Sequence, residues 1–238
     1  MNSPNTSSLY DEPAYRSAEA ARLLALPWAT VKAWCFGQAY VHQDGKPKRF
    51  ARLIDAADPK RKLLSFANLC ELHVLAAVRR HHRIPMPSVR SSLDFVAQEL
   101  SIARPLVAQE FLTNGVELFV EYAGELLNTS KKGQQALRGD FQQALARIRR
   151  DDHGTPVRLF PYTRRGSLGL ADQPDAIVID PRMAFGRPAL VRAGVTTEVI
   201  EDRFRAGDSP REMADDYGVD EADILEAIRF ELEPRRAA

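Results

Sequence analysis

The sequence predicts a mainly α protein with small β elements: an N-terminal winged helix-turn-helix, a mixed α/β middle region and a C-terminal three-helix domain. Three observations predict it. Helix-turn-helix spacing occurs twice, at Ala21, Ala25 and Val31 and again at Ala214, Gly218 and Ile224. Clusters of glycine, proline and charge interrupt the helical runs between these two places. The 238 residues are 45% hydrophobic and 27% charged, which fits one or two globular domains and excludes a disordered or fibrous chain. The formal charge of +1 hides a division. Residues 1–100 hold 14 basic and 9 acidic side chains, residues 101–170 hold 10 and 7, and residues 171–238 hold 9 and 16. The chain is therefore basic through residue 170 and acidic beyond it.

Residues 1–13 are polar, carry no apolar signal-like run and are expected to be a disordered leader. Residues 14–100 are assigned to the winged helix. Ser17 stands before Ala18-Glu19-Ala20-Ala21-Arg22-Leu23-Leu24 as a helix start, and Pro27 opens a second helix, Trp28 to Trp34. Ala25 occupies the turn position that usually holds glycine. Trp28 and Trp34, six apart, cannot share a helical face, and Trp34 beside Val31 is the core choice. Residues 36–64, broken by Gly37, Gly45, Pro47 and Pro59, read as an irregular or hairpin wing. Ser65 caps a helix from Phe66 to His81, Pro85 and Pro87 end it, and another runs from Ser88 to about Leu100.

In the middle region, residues 101–165, the alternation Val116-Glu117-Leu118-Phe119-Val120-Glu121 predicts a strand, which Ala123-Gly124 turns back into Glu125-Leu126-Leu127. A helix is expected from about Lys132 to Arg149, then a strand over Pro156–Pro161. Thr163 to Pro174 reads as a linker and places the domain boundary. Residues 175–234 begin with the strand Ile177-Val178-Ile179 and the short apolar run Ala189–Val191. Three helices follow: Thr196 to Gly207, a second opened by the capping box of Ser209 and Glu212, and a third from Asp220 through Leu232. Residues 235–238 form a basic tail.

Charge separates the two helix-turn-helix copies. Between Ser209 and Glu231 there are two basic against eight acidic residues, a surface that phosphate would repel. This copy is assigned to protein contact. The first copy carries Thr30, Lys32 and Trp28 as candidates for base edges, followed by a segment with Lys46, Lys48, Arg49, Arg52, Lys60, Arg61 and Lys62 against three aspartates. That is the arrangement of a helix in the major groove flanked by loops that grip phosphates. Cys35 and Cys70 have no paired spacing and read as buried thiols in a reducing cytoplasm. His81 and His82, being adjacent, and Glu71 and His73 do not share a helical face, so no metal pair, cofactor or catalytic site is expected. No run approaches the ~18 apolar residues of a membrane helix, and the expected location is the cytoplasm.

Tyr15 through Leu24, followed by Thr30-Val31-Lys32-Ala33-Trp34 and by Leu64-Ser65-Phe66 through Val78-Arg79, resembles the MerR-type winged helix. Ile179-Asp180-Pro181, Gly186-Arg187-Pro188, Ala206 through Pro210 and Met213 through Tyr217 are similar to a strand-plus-three-helix domain of VapB-type antitoxins from bacterial toxin–antitoxin operons. Both halves in this order resemble the larger antitoxins of that group. One departure is Arg192-Ala193-Gly194-Val195, where the family carries Gly-Thr-Arg after its Gly-x-Pro element. The resemblance implies a dimeric, operator-binding autorepressor whose partner is a VapC-like PIN-domain ribonuclease toxin with carboxylates around a divalent metal. Arginines would neutralise such a site through bidentate pairs, and the resemblance points to Arg187, Arg192, Arg235 and Arg236. The alternative is a MerR-like stand-alone regulator that senses a small ligand through residues 101–170.

Overall fold

The structure, a computed structural model, describes residues 6–41, 45, 47–82, 84–127, 130–164 and 174–232. These are mostly helical, with four small antiparallel strand pairs. Part of the expected leader is folded: α1 (Thr6–Asp11) buries Tyr10, whose ring centroid lies 5.8 Å from that of Phe66, and Asp11 pairs with Arg104 at 2.7 Å. Burying one aromatic ring contributes about 2 kcal/mol, which together with the Asp11–Arg104 pair favours order in a short polar segment that composition alone marks as frayed.

β1 (Tyr15–Arg16) leads into α2 (Ser17–Leu23) and α3 (Trp28–Phe36), the expected helix pair. Ala25 turns the chain between them at φ +53°. The expected wing is a hairpin of β2 (Gln38–Val41) and β3 (Pro47–Phe50), in the register Gln38 opposite Phe50 and Ala39 opposite Arg49. β4 (Leu63–Leu64) then returns to pair with β1. In α4 (Phe66–His82) the Ser65 hydroxyl accepts the Asn68 N–H at 3.2 Å, as the cap reading expects. Leu69, Cys70, Leu72, Val74 and Leu75 are all buried, so through Ala77 this helix is enclosed on every side and forms the axis of the core. α5 (Met86–Glu99) follows.

The middle region corrects the strand assignment. Residues 116–121 and the expected return at 125–127 belong to one helix, α6 (Val116–Leu127). Val116, Phe119, Val120 and Ala123 recur at helical spacing and are all buried, whereas the alternation was broken at the adjacent Phe119 and Val120. Gly124 makes no turn; it lets α6 approach Gln134 on α7 (Lys131–Ala146). That helix stops three residues short of Arg149, because Ile148–Arg150 forms β5 against β6 (Pro156–Leu159).

The C-terminal segment carries β7 (Ile177–Val178), β8 (Ala189–Leu190), α8 (Thr197–Ala206), α9 (Pro210–Tyr217) and α10 (Glu221–Leu232). Thr196 caps α8, Gly207 ends it at φ +109°, and both bonds of the Ser209–Glu212 capping box are present. Leu190, Ile200, Met213, Ala214, Ile224, Ala227 and Ile228 form a small core of their own. The module is also stitched to the rest. Leu159 and Ile179 exchange backbone bonds at 3.0 and 2.8 Å, Arg22 pairs with Glu231 at 2.7 Å, and the Tyr15 hydroxyl donates to the Gly186 carbonyl at 3.0 Å. Within the expected linker, Thr163 is buried and its hydroxyl donates to Glu226; residues 165–173 lie outside the described residues, as do Arg235 and Arg236.

Candidate nucleic-acid interface

α3 divides into a buried and an exposed face. Val31, Trp34 and Cys35 are buried, which holds the helix on the core. Trp28 (52% exposed) and Lys32 lie on the solvent side, with Thr30 half-buried between. Trp28 and Lys32, one turn apart, are held as a pair: the Lys32 ammonium sits 5.0 Å from the indole centroid, a cation–π contact. The indole N–H donates to the Ser17 hydroxyl at 3.1 Å. Ser17, expected as the cap of α2, is instead its first helical residue, and its hydroxyl serves Trp28 rather than the α2 backbone. An ordered indole and its cation thus stand on the exposed face before any ligand arrives.

The hairpin is fastened to this helix at both ends. Gly37, at φ +75°, lets α3 pass directly into β2; a Cβ there would lie 2.7 Å from the Phe50 carbonyl. After β3 the chain returns, and the Trp34 carbonyl accepts the N–H groups of Leu53 and Ile54 at 2.7 and 3.1 Å. Arg90 of α5 completes the clamp. It donates to the carbonyls of Arg52, at 3.0 Å, and Ala51, and its guanidinium lies 5.4 Å from the Phe50 ring. Sequence reasoning missed Arg90, because nothing local marks a helix residue as the anchor of a hairpin some 40 positions earlier.

The remaining candidates divide. Arg49 is exposed on β3, and Lys48 lies on the same strand. Lys46 lies outside the described residues. Arg52 is exposed but engaged by Asp55 at 2.5 Å. Lys60, Arg61 and Lys62 are exposed on a separate tight turn, closed by two 3.0 Å bonds between Asp58 and Leu63, which leads into β4. The hairpin is therefore tethered to the C-terminal end of the helix that carries Trp28, Thr30 and Lys32, and residues 60–62 lie beside the β1–β4 pair.

The second helix-turn-helix, α9 and α10, turns at Gly218 (φ +62°) and presents carboxylates instead. Arg203 lies 2.6 Å from both Asp208 and Asp216, and its guanidinium is 5.2 Å from the Tyr217 ring. Arg192 meets Asp220 at 2.7 Å, and Arg187 reaches Glu198 at 3.5 Å. Both of these arginines are exposed, and exposed pairs contribute at most about 1 kcal/mol, so neither is held firmly. Among the described residues no group of three His, Cys, Asp or Glu side chains could hold a metal, and no helix is long and apolar enough to cross a membrane. Cys35 and Cys70 are buried, and burial pushes the Cys35 thiol up to about 12, away from the reactive thiolate.

Comparison with known proteins follows the same division. Residues 13–93 match a family described as "Putative DNA-binding HTH domain". Residues 177–230 match one described as "Protein of unknown function (DUF433)". Over 92% of its length the chain is 28% identical to "Putative antitoxin VapB45" of Mycobacterium tuberculosis, spanning 94% of that protein. It is 25% identical over 98% of its length to "Uncharacterized protein Rv2308" of the same organism, spanning 96% of it. The crystal structure of Rv2018 from Mycobacterium tuberculosis aligns with 92% of this chain and 99% of its own, with a TM-score of 0.64 and 26% identity.

Proposed function

We propose that this chain is a DNA-binding antitoxin that neutralises a PIN-domain ribonuclease toxin and represses its own operon as a homodimer. The observation that carries the DNA half is the ordered Trp28–Lys32 pair on the exposed face of α3, beside a basic hairpin that Arg90 and Trp34 fasten to it. The antitoxin half is supported by near full-length similarity to a relative bearing that name. The division of charge agrees with both: a basic region for phosphate and an acidic C-terminal region for protein. Two recognition helices on a dimer would meet half-sites about 34 Å apart. Arg187, Arg192 and the tail residues Arg235 and Arg236 are the arginines we assign to the toxin.

Titrating the purified chain with its own promoter at rising salt tests the DNA half. Removing the charges of Lys32, Lys48 and Arg49 together should flatten the salt slope by about 2.7, three phosphate contacts at 0.9 each. Neutralising Asp215 and Asp216 should leave binding intact, and equal loss from both sets would reverse the roles of the two copies. For the toxin half, deletion of residues 234–238 should release ribonuclease activity in a complex with the product of the adjacent reading frame.

The ligand-sensing alternative has one observation in its favour, an open groove of about 350 Å³ lined by Leu112, Val116, Leu145 and Ile148, with the Glu117–Arg138 pair at its edge. A neighbouring gene without a nuclease product would favour it.

A further inference from the structure

The segment between β7 and β8 holds an arrangement that DNA binding does not use. Ala184, Phe185 and Gly186 follow one another in the left-handed region, at φ +49°, +55° and +76°. Glycine adopts that conformation freely, but for an aromatic side chain it is a steric outlier that persists only where surrounding contacts impose it. Those contacts are present. The Tyr15 hydroxyl donates to the Gly186 carbonyl, and a Cβ at residue 186 would lie 2.2 Å from that hydroxyl. The Gly186 N–H donates to Met183 at 3.0 Å, the Arg187 N–H to Ala184 at 3.1 Å, and the Arg182 N–H to the Asp180 carboxylate at 2.9 Å.

All this order holds an apolar side chain out in water. Phe185 is 91% exposed, the most exposed large hydrophobic side chain among the described residues. An isolated chain gains nothing from it, since it adds strain without burial. Two exposed arginines flank it: Arg182, whose guanidinium lies 5.6 Å from the Tyr10 ring, and Arg187. Val199, 41% exposed, follows Glu198 on α8, the residue that Arg187 approaches. An aromatic side chain bordered by arginines is the composition of a protein-interface core.

We infer that Phe185 is the anchor of the partner surface, inserted into an apolar pocket on a partner protein whose rim carboxylates pair with Arg182 and Arg187. The inference rests on the antitoxin proposal, which supplies a partner with clustered carboxylates. Charge complementarity selects this occupant. The 3.5 Å Arg187–Glu198 contact is long for a charge-assisted bond and joins side chains more than half exposed, so exchanging Glu198 for a partner carboxylate costs little. The complementarity is local, confined to Arg182 and Arg187 on either side of Phe185; the rest of residues 171–238, with 9 basic against 16 acidic side chains in all, disfavours a continuous run of phosphates.

The test uses the full chain, the purified product of the adjacent reading frame and calorimetry. The wild-type chain should bind that product, and Phe185→Ala should weaken binding about tenfold or more. Phe185→Gly should weaken it equally while raising the melting temperature, since glycine relieves the strained φ; this separates lost contact from lost folding. Arg187→Glu should add to the loss, and promoter affinity should stay unchanged in every variant. Undiminished binding by Phe185→Ala overturns the anchor and leaves the antitoxin proposal standing. No complex with the wild-type chain overturns both. A loss confined to promoter binding, or a fall in the mass of the free chain by light scattering, would place Phe185 on DNA or between two copies, and either result overturns the inference.

Discussion

Ala25 turns the first helix-turn-helix at φ +53°, where Gly218 turns the second at φ +62°. An L-residue there costs about 1–2 kcal/mol and glycine recovers part of it, so Ala25→Gly should stabilise the chain by about 0.5–1 kcal/mol. Thermal unfolding should show a rise of a few degrees; no rise would mean that Ala25 is unstrained. Cys35 sets a pH window. Burial first, and the Glu71 carboxylate second, push its thiol from near 9 up to about 12. The folded chain then holds a proton that the unfolded chain releases. The thiol's contribution is complete below about pH 9 and is lost as the pH climbs toward 12. Melting temperature should therefore decline above pH 9, and both buried thiols should resist labelling until the chain unfolds. Single residues were legible where a local rule governs them. Its place beside Val31 assigns Trp34 to the core, and it is 2% exposed. Arg90 and Phe185 obey no local rule, since one acts on a distant hairpin and the other is held by a distant tyrosine.

At the scale of elements, the ends of the helices α8 and α9 are the clearest signal. The Ser209–Glu212 box lies where its residue types require, and Ser209→Ala should remove the hydroxyl's two bonds to Glu212, keep the one donated by the backbone N–H of residue 209, and cost about 1 kcal/mol, measurable by denaturant unfolding. The strand read over residues 116–121 is α6, because Val116-Glu117-Leu118 opens an alternation that Phe119 breaks, whereas Val116, Phe119, Val120 and Ala123 satisfy a helix template over eight residues. Burial against α7 decides for the helix. The hairpin supplies the other test at this scale. Arg90→Ala leaves the carbonyls of Ala51 and Arg52 without their donor, so hydrogen exchange in β2 and β3 should quicken while α4 is unchanged, and promoter affinity should fall about tenfold.

In the whole molecule, a near-neutral total charge is the sum of a basic body and an acidic module that leans on it. The module contacts the strand and helix that begin the helix-turn-helix, through Tyr15 to Gly186 and Arg22 to Glu231. Tyr15→Phe with Arg22→Ala removes both bonds. With Glu231 only 5% exposed, the loss should be about 2 kcal/mol or more, seen as faster hydrogen exchange in α10 with α6 and α7 unaffected. By itself the sequence determined the division of charge, which is a sum over residues, and also the helix pairs and their turns, the caps at Ser65, Thr196 and Ser209 and the core face of α3, because each of these depends on residues within one or two turns of one another. Only the tertiary structure decided that residues 116–127 are helical, that Arg90 holds the wing and that Phe185 stands in solvent. The contacts responsible join residues as far apart as 38 positions for Arg90 and Arg52 and 171 for Tyr15 and Gly186, and their energies are gained only when packing brings those residues together.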